Sequence, residues 1–305
     1  MQWTSHPPDS VVGRWSTNAS CVAIAPNYVI TTIHQNGTEG LTVTIDSKSY
    51  VVDRIWVLPA ASCGINPDIR LARLKDANLA NYVPLYKKNN ECGKYTVIGG
   101  FGKGRGEKML ADDGEAYAYQ WAPGANDTFR WCSNTIDNVF FDMHINCPND
   151  VILTGDLIQA DFAPIPYDGI HPVTQYEGII TQFDSGGGWF IFDDGLWKVA
   201  GLSNLVSHNG YGQFRSPVCT ETVSPDEFYA MRVSRYAEYI EKIIQEQQML
   251  LQRDFNDDGS VDLLDFQLLS SQLHNAPTGK FDINNDGIID NNDIQALFHC
   301  WLKKY

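Results

Sequence analysis

Short apolar or alternating runs recur from residue 11 to about residue 225: SCVAIAPNYVITTI, LTVTI, SYVVDRIWVL, KYTVIGGFG, WFIF and WKVAGLSNLV. Turn clusters such as NGTEG, NPD, DDG and PYDGIHP separate them. A period of two puts successive side chains on opposite faces of a strand. Many short strands at this spacing predict a mostly β barrel or sandwich. WFIF-DDG-LWKVAGL predicts one hairpin, with Asp194-Gly195 supplying the positive φ of a tight turn. From Asp226 to Arg253 the period becomes helical, and Tyr236, Tyr239, Ile240, Ile243 and Ile244 fall on one face. Asp226 and Glu227 stand near the expected helix start, where the helix dipole favours anions.

The end of the chain repeats itself. DFNDDGSVDLLDFQLLSSQL begins at Asp254, and DINNDGIIDNNDIQALFHCWL begins at Asp282. Each fits D-x-N-x-D-G-x-x-D-x-x-D. In the first loop Asp254, Asn256, Asp258, Ser260, Asp262 and Asp265 hold positions 1, 3, 5, 7, 9 and 12, with Gly259 at the sharp turn. In the second they are Asp282, Asn284, Asp286, Ile288, Asp290 and Asp293, with Gly287 at the turn. Ser260 and Ile288 offer main-chain carbonyls. Hard Ca²⁺ takes six to eight oxygen ligands from a flexible loop, so two Ca²⁺ sites are expected. Asp stands at position 12 where longer Glu is usual, so one ligating oxygen or a tighter loop is expected.

These units resemble a type I dockerin, whose two loop–helix repeats bind two Ca²⁺ and dock on a cohesin module. The resemblance implies cohesin-reading residues at Leu263-Leu264 and Asn291-Asn292, two unlike pairs. An EF-hand pair is a rival, since a helix is expected to run into the first loop. NAPTGK before the second loop is a poor helix and favours the dockerin. A Ca²⁺ clamp acting within the chain is a third reading.

Composition sharpens this picture. The 305 residues exceed one common domain, and 43% apolar content is that of a globular chain. The net charge of −15 argues against nucleic acid or an anionic membrane as main partner. No run of about 18 apolar residues suggests a membrane span. Asp outnumbers Glu by 27 to 10, and nine of those aspartates lie in the two repeats. Seven cysteines, at 21, 63, 92, 132, 147, 219 and 300, match no zinc spacing. Cys132 and Cys147 could pair, although sequence does not fix connectivity. The opening MQWTSHPPDS lacks a basic region followed by an apolar stretch, so no signal peptide is visible in the sequence as written.

Three segments carry candidate chemistry: VITTIHQ, NPDIRLARL and QFDSGGG, which place His34, Asp68 and Ser185 in that order. A serine hydroxyl is a weak nucleophile until a base takes its proton, and a histidine oriented by a carboxylate is such a base near neutral pH. The set resembles the trypsin/chymotrypsin family of serine proteases. PNYVITTIH is similar to the strand ending in the family's T-A-A-H, PDIRLARL to its D-I-x-L-L-x-L, and DSGG to its G-D-S-G-G-P. VIGGFGKG and FYAMRVSRYAEYI are similar to two further, non-catalytic stretches, so the resemblance spans about residues 11–249.

The resemblance implies a two-barrel fold with a C-terminal helix over 11–249, followed by a small α-helical calcium-binding dockerin-like domain over 250–305. It implies a triad of His34, Asp68 and Ser185, oxyanion donors at the N–H groups of Phe183 and Ser185, and a substrate-pocket floor at Ile179. Phe183 stands where the family has Gly, and a side chain there could tilt the peptide and remove a donor. Gln35 stands where the family has a Cys beside the histidine, and Gly188 where it has Pro. Val11-Val12-Gly13 lies too close to His34 for the family's processed terminus, so Arg14 or Arg130 is the alternative cation for Asp184. The expectation is a serine endopeptidase acting on protein or peptide, tethered through the calcium module to a possible cohesin, outside the cell or on its surface. The alternatives are a trypsin-like pseudoprotease that binds without cleaving, and an adaptor whose barrels serve only assembly.

Overall fold

The computed structural model describes residues 5–59, 66–124, 126–146, 152–164, 173–273 and 279–304. The chain divides into two compact units, 1–237 and 238–305.

The first unit begins with six antiparallel strands. They are β1 (Val12–Trp15), β2 (Ala19–Ala25), β3 (Tyr28–Thr31), β4 (Thr42–Ile45), β5 (Lys48–Val57) and β6 (Arg70–Leu74). They close into a barrel in the order β1-β2-β3-β6-β5-β4. Closure removes exposed sheet edges. Trp15, Cys21, Val29, Val43, Val52 and Leu74 fill the interior. Each such apolar side chain removed from water stabilises the fold by about 1.5–3 kcal/mol.

The second half of this unit holds β7 (Tyr95–Gly100), β8 (Arg105–Leu110), β9 (Ala116–Trp121), β10 (Arg130–Thr135), β11 (Asn138–Asn146) and β12 (Ile152–Asp161). It continues with β13 (Gly188–Asp193), β14 (Leu196–Val206), β15 (Tyr211–Gln213) and β16 (Glu227–Arg232). Seven of these form one sheet, β10-β7-β13-β14-β16-β12-β11, while β15-β9-β8 form a smaller one. Ile98, Ile158, Trp189, Ala200 and Phe228 lie in its core. The two-part, mostly β architecture is the one expected. The β13–β14 hairpin is too, with Asp194 at φ +53° and Gly195 at φ +80°.

One expectation fails. Helical pattern begins at Asp226, yet Glu227–Arg232 is a strand between β12 and β14. Phe228, Ala230 and Met231 are fully buried there, and long-range pairing on both sides overrides local helix preference. Asp226 accordingly accepts a bond from Gln213 N rather than starting a helix. The helix α1 runs from Ala237 to Arg253. Ile240 on its expected apolar face is buried, whereas Tyr239 is exposed.

In the second unit α1 is followed by β17 (Ser260–Val261), α2 (Leu263–Ser271), α3 (Asn291–Phe298) and β18 (Lys303–Lys304). Its core joins Leu250, Phe255, Val261, Leu269, Ile289 and Leu297. Strand β18 pairs with β17, so the end of the chain returns to the first loop. Among the described residues, no helix is long and apolar enough to cross a membrane. Cys147, the possible partner of Cys132, lies outside the described residues.

Candidate active site

Thr31 ends β3, and the chain then turns, placing His34 just beyond the barrel wall. Asp68 lies two residues before β6, the neighbour of β3 in the barrel. Strand pairing therefore brings the two together. His34 Nδ1 is 2.5 Å from Asp68 Oδ2, and His34 N–H donates to Asp68 Oδ1 at 2.8 Å. Side-on and main-chain bonds together fix the ring relative to the carboxylate. Ser185 Oγ lies 2.9 Å from His34 Nε2. The three candidate residues thus form one continuous hydrogen-bonded chain.

Asp68 has a further partner that sequence reading missed. Asn204 on β14 donates from Nδ2 to Asp68 Oδ2 at 2.7 Å. A carboxylate only accepts, so the amide nitrogen must face it. The available signal was a polar Ser203-Asn204 pair inside the buried run GLSNLV, since a buried amide needs a partner.

The loop carrying Ser185 is pinned on two sides. Gly186 N–H donates to Ser203 O at 2.9 Å and Ser203 N–H to Gly187 O at 2.8 Å. From the barrel side, Ser20 N–H donates to Ser185 O at 2.8 Å. Gly186 has φ +80°, and a Cβ there would sit 2.2 Å from Ser20 O and 2.3 Å from Thr31 Oγ1. Only glycine fits a left-handed position so close to another backbone.

Phe183 also takes φ +80°, the region a glycine would occupy without strain. Its main-chain N–H and that of Ser185 donate to no acceptor among the described residues. Two unspent amides flanking the nucleophile are the raw material of an oxyanion hole. The Phe183 ring lies outside this exchange, with Lys103 Nζ 5.9 Å from its centroid.

Asp184 points to the other side of the loop. It accepts from Gly102 N–H at 2.7 Å, Thr181 N–H at 2.8 Å and Thr181 Oγ1 at 3.0 Å. Burial pushes its carboxyl up to about 6 against these bonds, and the nearby Arg130 charge pulls the other way. Of the two candidate cations, Arg130 is the one that acts on Asp184; Arg14 instead donates to Thr17 O and faces the Phe101 ring.

Ile179 is half-buried against the second core. It lines a cavity of about 580 Å³ together with Thr181, Asp184, Tyr119 and Trp131, but not with His34 or Ser185. The cavity also holds Glu177, whose carboxyl burial pushes up to about 7.

The two aspartate-rich loops match each other contact for contact. Gly259 N–H donates to Asp254 Oδ2 at 2.7 Å and Gly287 N–H to Asp282 Oδ2 at 2.9 Å. Asn256 Nδ2 reaches Asp258 Oδ2, and Asn284 Nδ2 reaches Asp286 Oδ2, both at 2.8 Å. Asp265 and Asp293 are fully buried and accept from Asp262 N–H and Asp290 N–H, each at 2.8 Å. They close capping boxes on α2 and α3. Neither has an ion pair among the described residues. Oδ1 of Asp265 accepts from Phe255 and Asn256 N–H and Oδ1 of Asp293 from Ile283 and Asn284 N–H, while each Oδ2 takes a single bond and keeps a second lone pair. The donor set is all oxygen, which fits a hard divalent cation. No ready-made cluster of three acidic, His or Cys groups stands among the described residues, so the loops would have to draw in around the ion.

Residues 252–299 match the dockerin type I domain family. No curated protein matches the chain. Among solved structures, the chain is similar to neuropsin, a serine protease expressed in the limbic system of mouse brain. The identity is 14% and the TM-score 0.49, over 77% of this chain and 95% of that one. It is also similar to the Rv3671c protease in an inactive form, at 14% identity and TM-score 0.43, over 77% and 89%.

Proposed function

We propose that this chain is a serine endopeptidase carried on a calcium-binding dockerin module. The observation that supports it most is the hydrogen-bonded chain Ser185–His34–Asp68 beside two uncommitted amides.

In this reading Ser185 Oγ attacks the carbonyl carbon of a peptide bond while His34 Nε2 takes its proton. The oxyanion that forms accepts from the N–H groups of Phe183 and Ser185. Each such donor typically contributes about 2.7–4 kcal/mol in the transition state. His34 then passes the proton to the leaving amine nitrogen, and the C–N bond breaks. A water molecule, deprotonated by His34, attacks the acyl group and restores Ser185. Asp68 holds the imidazole tautomer and stabilises the imidazolium, with Asn204 holding Asp68 in turn. Phe183 keeps a glycine-like φ, which favours cleavage over the non-cleaving scaffold reading. Ile179 gives the substrate pocket an apolar floor.

In the C-terminal module, Asp254, Asn256, Asp258, Asp262 and Asp265, with the Ser260 carbonyl, would hold one Ca²⁺. Asp282, Asn284, Asp286, Asp290 and Asp293, with the Ile288 carbonyl, would hold the second. Bound there, Ca²⁺ would neutralise the buried carboxylates of Asp265 and Asp293, which cap α2 and α3. Leu263 and Leu264 are exposed at the start of α2, which suits docking on a cohesin-type partner. Such modules work outside the cell or on its surface, and the protein is assigned there.

The test is hydrolysis of a mixed peptide library by the full chain with Ca²⁺, read by mass spectrometry against Ser185→Ala. New internal cleavages that vanish in the variant support the reading. No cleavage by folded wild type opposes it.

A further inference from the structure

Gln35 follows His34, so no cross-link ties down the turn that carries the base. Another device is in place. Arg70 opens β6, two residues after Asp68, and is only 4% exposed. Its guanidinium donates four hydrogen bonds, all to main-chain carbonyls around His34. Nε reaches Thr32 O at 3.2 Å and Nη1 reaches Gly37 O at 2.9 Å. Nη2 reaches Ile33 O at 3.2 Å and Asn36 O at 2.5 Å.

The turn is shaped to receive it. Asn36 at φ +53° and Gly37 at φ +118° bend the chain so that these carbonyls converge on one cation. Trp15 closes a face of the guanidinium at 4.9 Å, and its Nε1 donates to Asn36 O at 2.8 Å. A Cβ on Gly37 would lie 2.9 Å from that indole nitrogen. Burying a cation without a bonded carboxylate is costly unless its donors are satisfied. Burial lowers the Arg70 pKa from its ordinary value, and the nearby Asp68 charge counters this. A hydrophobic residue would have filled the space at less cost if packing were the whole purpose.

We infer that Arg70 is a positioning residue for His34, a guanidinium clamp that ties the turn carrying the imidazole to the start of β6, two residues past Asp68. The inference rests on the serine-hydrolase reading above. The clamp acts through the main chain and touches no substrate. Its planar fork spans carbonyls of four residues, which the single ammonium point of a lysine cannot do. A misplacement of the base by about 1 Å is enough to cost on the order of 100-fold in rate.

The test compares Arg70→Met and Arg70→Lys with Leu74→Ala, a stability control on the same strand whose side chain is buried in the barrel core. Amide hydrogen exchange is measured on the full Ca²⁺-loaded chains in a Ser185→Ala background, so no activity is needed. Both Arg70 variants should exchange at least about tenfold faster over residues 31–38 than wild type, and Leu74→Ala should not. In the active background both should lose about 10–100-fold in kcat with KM nearly unchanged, beyond the loss in Leu74→Ala. Arg70 variants that exchange and turn over as the control does would overturn the clamp. If wild type cleaves nothing, the hydrolase reading falls. Exchange then still decides whether Arg70 holds the turn.

Discussion

Asn204→Ala separates the job of holding Asp68 from the job of holding the fold. Asn204 is 8% exposed, and its Nδ2 donates to Asp68 Oδ2 at 2.7 Å. A hydrogen bond to a charged group is worth about 1.5–3 kcal/mol. The other end of the same amide, Oδ1, is buried with no hydrogen-bond partner among the described residues. Leaving a buried acceptor unmet costs about 1–3 kcal/mol, and the substitution removes that cost as well. The two nearly cancel, so the change in unfolding free energy should stay within about 1 kcal/mol. No such offset operates during the reaction. Positive charge then grows on His34 and leans on a carboxylate that has lost one of its three donors. If the bond's full worth falls on the transition state, about 1.5–3 kcal/mol becomes roughly a 10–150-fold loss of rate. The assay is the second-order rate of fluorophosphonate labelling at fixed pH, with urea unfolding of the same samples. Labelling within twofold of wild type at unchanged stability would refute the reasoning.

Phe183→Gly should remove about 1–2 kcal/mol of left-handed strain, partly offset by about 0.5–1 kcal/mol of added chain entropy. Labelling should then be equal to wild type or faster, and a tenfold loss would contradict an already free N–H. Glu177 is raised in the folded protein to about 7 from an ordinary 4.5. Its stabilising contribution is therefore full below about 4.5 and lost as pH rises through about 7. Glu177→Gln should gain on wild type by up to about 3 kcal/mol between pH 5 and pH 8, measured by urea unfolding. A difference that is the same at both pH values would count against it. Calorimetry should find two Ca²⁺ sites, one in each of Asp254→Ala and Asp282→Ala, and none in the double variant. Chelation should lower the thermal midpoint of α2 and α3, because an ion that binds only the folded state stabilises it.

Features set by local chemistry were legible in the sequence. The Asp194-Gly195 turn and the repeated D-x-N-x-D-G loops are examples, since each needs particular residues at fixed spacing. The order His34, Asp68, Ser185 was legible because each lies beside a strand; pairing of β3 with β6 brings the first two together, while Ser185 precedes β13 in the other sheet. Features set by distant neighbours were not. Glu227–Arg232 reads as helix until β12 and β14 are seen on either side of it. Asn204 is 136 residues from the carboxylate it holds, and its place in the apolar run GLSNLV signals only that it needs a partner, not which one. Arg70 reads as an ordinary polar member of a strand, because its partners are main-chain carbonyls around another segment. Phe183 looked disabling from its identity alone. Its φ of +80° shows the surrounding loop imposing on it the conformation a glycine would choose.

Intact-mass analysis after treatment with a fluorophosphonate tests the central claim most directly. The full Ca²⁺-loaded chain should gain the mass of one phosphonyl group on the peptide containing Ser185, and Ser185→Ala should gain none. A folded wild-type chain left unlabelled, or labelled equally in the Ser185→Ala variant, would contradict it.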